Sequence, residues 1–274
     1  MSRSVPDAAE LLELAVTAAC AAGEFLVDSR PQELEVATKS TPTDVVTEMD
    51  LAAERRIVAT LRASRPFDVV LGEEGQSREA RPRDAEAGPD VRWIVDPIDG
   101  TVNYLYGLPQ WAVSIAAEVD GVVEAGAVFD PSKGELFTAV RGGGARLDGR
   151  PMAVTECGVL SQALVGTGFG YDAGRRSAQA RVLLELLPRV RDVRRLGAAS
   201  LDLCAVACGR LDGYYERGLN LWDYAAAGLI ASEAGARVGG LGGESASGEI
   251  LVAANPLLFD DLADLLAKFG ADQG

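Results

Sequence analysis

Residues 93–101 read WIVDPIDGT and are the stretch that decides the fold. Its apolar first half is typical of a buried strand, and this strand ends in two acids, Asp96 and Asp99. Pro97 fixes its own φ and interrupts the hydrogen-bond ladder at this point. We therefore predict that both carboxylates converge on one side of the strand end, with the carbonyl of Ile98 left free beside them.

A phosphate-binding turn is predicted directly after this strand. Gly100 and Thr101 place backbone amides and the start of a predicted helix at the position of the two acids, and Thr101 is a suitable helix cap. A strand–turn–helix connection with a capping Asp is the alternative, but capping needs only one acid. Carboxylates beside an anion site favour a cation between them, and so predict metal-assisted phosphate chemistry.

Three further stretches supply acids that could join this site. Glu73 and Glu74 end a predicted strand between glycines, where a surface turn is the alternative interpretation. Asp50 follows Thr47 at a helix start and could be only the partner in a capping box. Asp223 lies in the first turn of a helix of small residues, where it could simply stabilise the helix dipole.

The composition restricts the chemistry further. The chain has 274 residues, of which 48% are hydrophobic, and can bury a substantial core. Its 41 acidic and 26 basic residues give a net charge of −15, which argues against nucleic acid or an anionic membrane as a partner. The chain has no histidine, so Ser-His-Asp, Cys-His and His-ligated zinc chemistry are excluded. Catalysis must use carboxylates, hydroxyls, Lys, Cys or a metal on oxygen ligands.

Helices and strands are predicted to alternate in a single domain over residues 1–274, with a layered α/β (α+β) fold. The predicted helices are 7–29, opened by a capping box between Ser4 and Asp7, then 47–64, 174–187, 199–210, 222–234 and 257–268. The predicted strands are 68–71, 91–95, 113–119, 122–129, 135–140, 164–166, a strand near 193, 214–216 and 250–254. The polar stretch 75–90 is interpreted as a mobile surface loop. We find no signal peptide and no membrane-spanning stretch in the sequence, so a cytoplasmic protein is expected.

Two basic regions and a glycine-rich turn need an interpretation in so acidic a chain. The seven arginines between residues 175 and 195 are interpreted as a solvated helix face and loop, or part of a subunit interface, with a phosphate-binding role as the alternative. Lys39 is isolated in sequence and would otherwise be an ordinary exposed lysine. The turn at 166–170 lacks the spacing of a dinucleotide or P-loop motif, and we expect it on the substrate side of the site.

Five motifs together resemble the inositol monophosphatase family of metal-dependent, lithium-sensitive phosphatases. They are KSTPTDVVT at 39–47, GEE at 72–74, WIVDPIDGTVN at 93–103, DGYYE at 212–216 and GLNLWDYAAAG at 218–228. They follow the family's order and extend the resemblance over essentially the whole chain. The resemblance implies a five-layer αβαβα sandwich of the sugar phosphatase type, usually a homodimer. It also implies hydrolysis of myo-inositol monophosphate without a covalent phosphoenzyme, and it places Lys39 near the site.

The resemblance also assigns a role to particular residues. It implies Mg²⁺ ligands at Glu73, Asp96, the carbonyl of Ile98, Asp99 and Asp223. It implies that Asp50, Glu73 and Thr101 position and deprotonate the attacking water. The amides of Asp99, Gly100 and Thr101 are expected to hold the phosphate, and Glu216, Asp223 and the backbone of Gly197, Ala198 and Ala199 to meet the rest of the substrate.

Electrostatics independently favours a cation at this site. Two carboxylates ~4 Å apart repel by about 4 kcal/mol at an effective dielectric of about 20. Two divalent ions would neutralise the four acidic ligands, and a bound phosphate dianion would leave room for a third, weaker ion. Hard oxygen donors favour Mg²⁺, with Mn²⁺ as a substitute.

Other functions within the same superfamily remain open. They are fructose-1,6-bisphosphatase, histidinol-phosphate phosphatase and 3′-phosphoadenosine nucleotidase, although Ile98 and the pair Val102–Asn103 favour the inositol branch. A non-catalytic regulatory protein on the same fold is the alternative from a different class.

Overall fold

The computed structural model describes residues 6–39, 41–42, 44–75 and 90–273. Except for its two end residues, the predicted loop 75–90 lies outside the described residues, as does Ser4. The helices are α1 (Ala8–Asp28), α2 (Glu48–Ser64), α3 (Thr101–Tyr106), α4 (Ala173–Leu186), α5 (Ala199–Ala207), α6 (Leu221–Glu233) and α7 (Phe259–Lys268). The strands are β1 (Val36–Thr38), β2 (Val45–Thr47), β3 (Val69–Gly72), β4 (Val91–Asp99), β5 (Ala112–Val119), β6 (Val122–Asp130), β7 (Glu135–Val140), β8 (Ala145–Leu147), β9 (Arg150–Pro151), β10 (Leu164–Thr167), β11 (Asp192–Arg194), β12 (Gly213–Glu216), β13 (Arg237–Gly239) and β14 (Leu251–Ala254).

These strands form two main sheets. The seven-stranded sheet has the order β3-β4-β5-β6-β7-β8-β9; β3 and β4 are parallel and the later neighbours antiparallel. The five-stranded sheet has the order β11-β10-β12-β14-β13, with β10, β11 and β12 parallel. A separate short pair, β1 and β2, leads into α2.

Three hydrophobic cores hold five layers together. One core joins α1 and α2 to one face of the seven-stranded sheet. The second lies between the other face of this sheet and the five-stranded sheet, and contains α5 and α6. The third covers the outer face of the five-stranded sheet with α4 and α7. The order helices, sheet, helices, sheet, helices confirms the predicted αβαβα sandwich.

Alternating side chains explain why both faces of the large sheet are covered. In β4, Trp93 and Val95 belong to the core under α1 and α2, whereas Ile94 belongs to the core around α5 and α6. Because neighbouring residues of a strand point to opposite faces, a strand that is apolar at every position is buried on both sides. The apolar run that precedes the two acids therefore fixes the place of β4 inside the sandwich.

The predictions of turns and helix caps from neighbouring residues differ in their outcome. Asp120 and Gly121 have φ values of 49° and 84° and form the predicted two-residue hairpin between β5 and β6. Asp7 is itself the N-cap of α1, since its side chain accepts the amide of Ala9 at 3.0 Å. The prediction that Thr101 caps a helix is wrong: the cap position of α3 is Gly100, and Thr101 is the first helical residue.

No helix in the part of the chain that the structure describes is long and apolar enough to cross a membrane.

Candidate active site

A β-bulge in β4 brings the two acids of the central motif to one side. Asp96 is paired with Ser114 and Asp99 with Ala112, so three residue steps on β4 match two on β5. In a regular strand, side chains three residues apart point to opposite faces, and the extra residue cancels this alternation. Both carboxylates consequently line the same cavity, and the irregularity lies between Asp96 and Asp99, the interval that contains Pro97.

The cavity has a volume of about 510 Å³. It lies where β4, β10 and β12 end and where α5 and α6 begin. The predicted residues that line it are Glu73, Asp96, Ile98, Asp99, Gly100, Thr101, Gly197, Ala199, Glu216 and Asp223. Two predicted residues do not line it: Asp50 is fully buried behind Thr101, and Ala198 is only 1% exposed. Side chains far apart in sequence therefore meet at one place.

Asp50 makes contacts consistent with both interpretations that the sequence left open. Its Oδ2 accepts the backbone amide of Thr47 at 2.8 Å, which completes the capping box of α2. Its Oδ1 lies 3.0 Å from Oγ1 of Thr101, which is also 3.0 Å from the carbonyl oxygen of Ile98. Burial raises the pKa of Asp50 to about 6. This carboxylate is thus fixed by α2 and contacts the cavity only through the Thr101 hydroxyl.

Glu73 and Asp96 form the centre of the acidic cluster. Their carboxyl groups lie close enough for each to influence the pKa of the other. Burial raises the pKa of Glu73 to about 7. Burial, followed by the charges of Glu73, Asp99 and Asp223, raises the pKa of Asp96 well above its ordinary value. The cluster therefore retains protons near neutral pH unless another positive charge compensates it.

Lys39 is the cation nearest to Glu73 that the structure records. Its Nζ lies 2.9 Å from Oε1 of Glu73 and also forms an ion pair with Glu74. The segment before β2 thus reaches the end of β3, as the family motif implied. This pair neutralises part of the charge of the Glu73–Glu74 turn.

The other acids are held by donors of their own segments or of α5. Asp99 accepts the amide of Ala199 at 3.2 Å and the amide of Ser200 at 2.7 Å. Asp223 accepts the amide of Asn220 at 2.6 Å, and Asp96 accepts the amide of Ile98 at 3.0 Å. In this arrangement, no three acidic or cysteine side chains among the described residues stand close enough to hold an ion.

The chemistry of the donor set nevertheless fits a hard divalent cation. Glu73, Asp96, Asp99 and Asp223 offer carboxylate oxygens to one cavity, and Ile98 lies among them. Oxygen donors without nitrogen or sulfur are the ligands that Mg²⁺ and Mn²⁺ prefer. The mutual repulsion that raises the pKa of Asp96 is the repulsion that a cation would remove.

Close backbone packing shapes the two ends of the cavity. At Gly100, with φ of 91°, a Cβ atom would lie 2.9 Å from the carbonyl oxygen of Gln110, so only glycine fits. At Gly168 a Cβ would overlap the carboxylate of Glu216, which also accepts the hydroxyl of Tyr214. Burial raises the pKa of Glu216 to about 7. The turn at 166–170 therefore lies against the end of the cavity that contains Glu216.

Sequence reasoning missed several residues of this cavity. Arg175 and Arg195 line it, a position that was not predicted for these two arginines, although Arg195 is exposed to solvent as expected. Arg195 lies near Asp99 and Glu216, and its charge partly offsets the rise in pKa that burial causes at both acids. Ser200 does not line the cavity but donates to Asp99 from behind it. It was also missed, although its position one residue after the motif-like Gly197–Ala199 segment was a usable signal. Nothing in the local sequence distinguishes Arg175 and Arg195 from the other five arginines between residues 175 and 195.

The five layers and the acidic cavity define a fold of the sugar phosphatase type. The sequence profile of the Inositol monophosphatase family matches residues 7–269, and the chain belongs to this family.

Three relatives illustrate the similarity. The inositol-1-monophosphatase SuhB of Mycobacterium tuberculosis is 49% identical over 247 residues, which cover 85% of this chain and 82% of that protein. The Nus factor SuhB of Pasteurella multocida is 38% identical over 269 residues, covering 96% and 98% of the two chains. The crystal structure of extragenic suppressor protein suhB from Bartonella henselae superimposes with a TM-score of 0.87 at 35% identity, covering 94% of this chain and 99% of that one.

Proposed function

We propose that this protein hydrolyses the monophosphate ester of a small polyol, with myo-inositol monophosphate as the first candidate substrate. The observation that carries the proposal is the meeting of Glu73, Asp96, Asp99 and Asp223 in one cavity beside the Thr101–Asp50 pair. The name of the mycobacterial relative supports the choice of inositol monophosphate. Water is the attacking group, and no covalent phosphoenzyme forms.

The Thr101–Asp50 pair deprotonates the attacking water. Thr101 Oγ1 can donate its proton to Asp50 and accept one from a water in the cavity. Asp50, with a pKa of about 6, is largely ionised at neutral pH yet basic enough to receive a proton. Asp50 is fully buried, and of the two hydroxyls that contact its carboxylate, those of Thr47 and Thr101, only Thr101 lines the cavity.

The remaining residues bind and orient the two ends of the substrate. The amides of Asp99, Gly100 and Thr101 hold the phosphate, and Glu216 with the backbone of Gly197 and Ala199 meets the polyol hydroxyls. Glu73, Asp96, the carbonyl of Ile98, Asp99 and Asp223 would hold two Mg²⁺ ions and, with phosphate bound, a third. Bound divalent cations lower the pKa of an attached water and stabilise the leaving alkoxide.

Phosphate release from a panel of phosphomonoesters tests this function. The panel contains inositol monophosphate, fructose 1,6-bisphosphate, histidinol phosphate and 3′-phosphoadenosine 5′-phosphate, each with Mg²⁺, with Mn²⁺ and with EDTA. We expect EDTA-sensitive turnover that is fastest with inositol monophosphate. The absence of EDTA-sensitive turnover on every substrate would favour the regulatory alternative, which the name Nus factor of several relatives supports.

A bisphosphate is the second candidate substrate, because two arginines line the cavity. Arg175 and Arg195 lie at the end that contains Glu216 and Gly218, and no carboxylate of the described residues forms an ion pair with either guanidinium. Guanidinium groups in a cavity are suited to a second phosphate. The two candidates therefore differ in whether the far end of the substrate is neutral or anionic.

Charge-neutral variants separate these candidates. If the substrate is a bisphosphate, Arg195→Gln and Arg175→Gln should each raise its KM about 10-fold and leave the KM of inositol monophosphate nearly unchanged. Arg176→Gln is the matched control. Arg176 lies on α4 next to Arg175, is exposed, and donates to the carbonyl of Gly170. Equal effects on both substrates would contradict a second phosphate site.

We also propose that the enzyme is a cytoplasmic homodimer, as the family resemblance implies. Light scattering of the purified protein measures the oligomeric state, and a monomer at micromolar concentration would contradict the dimer. Cell fractionation tests the location.

A further inference from the structure

Glu54 is a buried carboxylate to which the mechanism above gives no role. It lies on α2, is 0% exposed, and its Oε2 accepts the backbone amide of Glu74 at 2.7 Å. Its carboxylate also packs directly on the chain at Gly72, where a Cβ atom would lie 2.5 Å from the carboxyl carbon. Glu54 therefore contacts the backbone on both sides of Glu73.

The position of Glu54 on α2 relates this contact to the Thr101–Asp50 pair. Asp50 and Glu54 are four residues apart, so they lie on the same face of the helix, one turn from each other. Asp50 fixes the Thr101 hydroxyl, and Glu54 fixes the turn that carries Glu73. A single helix thus sets the spacing between two parts of the candidate site that follow different strands, β3 and β4.

We propose that Glu54 is a positioning residue: its carboxylate holds the Glu73–Glu74 turn so that Glu73 faces Asp96. This inference rests on the proposed function, because it concerns the metal-binding role of Glu73. The turn has a second support on its other side, since the amide of Glu73 donates to the carbonyl of Val95 at 3.2 Å. Glu54 supplies the support from the helix layer.

A carboxylate is a costly choice for this position unless its contacts are needed. Burying a charge is unfavourable unless hydrogen-bond donors compensate it. A backbone amide at 2.7 Å compensates part of this cost. An apolar side chain of similar size would avoid the charge but would leave the amide of Glu74 without this acceptor.

The test measures Mn²⁺ binding by the electron paramagnetic resonance signal of free Mn²⁺, without substrate. In Glu54→Leu the acceptor is lost, and in Gly72→Ala the new Cβ displaces the Glu54 carboxylate; we expect the Kd for Mn²⁺ to rise at least 10-fold in both. Glu54→Gln retains an oxygen acceptor and should stay within about 3-fold of the parent protein. In steady-state assays, kcat should fall in the first two variants while KM changes little.

Asp130 provides the matched control. It is also 0% exposed and accepts the amides of Ser132 and Lys133, but it lies outside the candidate site. Asp130→Leu should lower the thermal stability without changing the Kd for Mn²⁺. Should Glu54→Leu fail to fold, Gly72→Ala carries the test, because it removes no hydrogen-bonding group.

The outcomes distinguish the two proposals. Unchanged Mn²⁺ affinity in Gly72→Ala and Glu54→Leu, with lowered thermal stability, would mean that Glu54 is only a structural cap and would overturn this inference alone. A parent protein that binds no Mn²⁺ would overturn the proposed function and this inference with it.

Discussion

The hydroxyl oxygen of Thr101 lies 3.0 Å from Oδ1 of Asp50, across a sequence separation of 51 residues. The contact joins the first residue of α3 to the first turn of α2, and it is buried on the Asp50 side. Because Asp50 is also held by Thr47, the hydroxyl of Thr101 is presented to the cavity in a fixed position. This arrangement makes the function of the hydroxyl separable from the stability of the fold.

Replacing Thr101 by Val should therefore reduce turnover far more than stability. Thr101→Val keeps the shape of the side chain and removes the proton relay, so we expect kcat to fall about 10²–10⁴-fold. Asp50 keeps its contacts with Thr47, and the free energy of unfolding should fall by no more than about 1–3 kcal/mol. Steady-state kinetics and urea unfolding provide the two measurements. Thr101→Ser, which keeps the hydroxyl, should retain most of the activity; an inactive Ser variant would contradict the relay.

Asp96→Asn should separate metal binding from folding. The amide oxygen can still accept the amide of Ile98, so the bulge remains intact. One charge of the cluster is lost, and we expect at least about 100-fold lower turnover, because a ligand loss should exceed the effect of losing an outer-shell partner. Thermal unfolding in EDTA at pH 8 should show equal or higher stability, since the repulsion from Glu73, Asp99 and Asp223 is reduced. Turnover like that of the parent protein would remove Asp96 from the proposed metal ligands.

The stability of the protein in EDTA should decrease as the pH rises towards neutrality. Folding raises the pKa of Asp50 and Asp99 to about 6, and that of Glu73 and Glu216 to about 7. The folded state then binds protons more tightly than the unfolded state, in which these acids titrate near pH 4. Their contribution is complete below about pH 4 and is lost as the pH rises through about 6 to 7.

Urea unfolding at pH 5, 6, 7 and 8 measures this slope. With saturating Mg²⁺ the slope should be shallower, because the cation replaces the protons at Glu73 and Asp99. Identical slopes in Mg²⁺ and in EDTA would contradict the assignment of the acidic cluster as the cation site.

Lithium should inhibit the proposed reaction at millimolar concentration. This expectation follows from the family resemblance and from the weaker third cation that the charge balance allows. Phosphate release is measured with increasing LiCl, and NaCl at equal ionic strength is the control. Rates that do not change with LiCl would argue against a weak cation position in this protein.

Much of the central motif could be predicted from local signals. The apolar run of β4, the proline between the two acids and the Asp120–Gly121 hairpin each follow from rules that involve only neighbouring residues. The bulge could be anticipated because Pro97 lacks an amide hydrogen, although its one-residue offset is visible only in the pairing with β5. The capping box of α2 was predicted from Thr47 and Asp50 alone.

The contacts that complete the site depend on chain segments brought together by the layers. The pairing of Lys39 with Glu73, of Ser200 with Asp99 and of Glu54 with the amide of Glu74 joins different elements. No periodicity or turn rule relates such distant positions. The strands β1 and β2 were missed for a different reason, because three residues are too few to show alternation.

The single supernumerary residue in β4 has a consequence for how this site tolerates change. Deleting Pro97 would leave every acid of the motif chemically intact, yet it would turn Asp99 towards the opposite layer of the sandwich. Whether Asp99 faces the same side as Asp96 depends on whether the number of residues between them is odd or even once the bulge is counted. No intermediate case exists. Substitutions at this position can alter activity by degrees, whereas a change of length by one residue would abolish the juxtaposition of the two carboxylates at once.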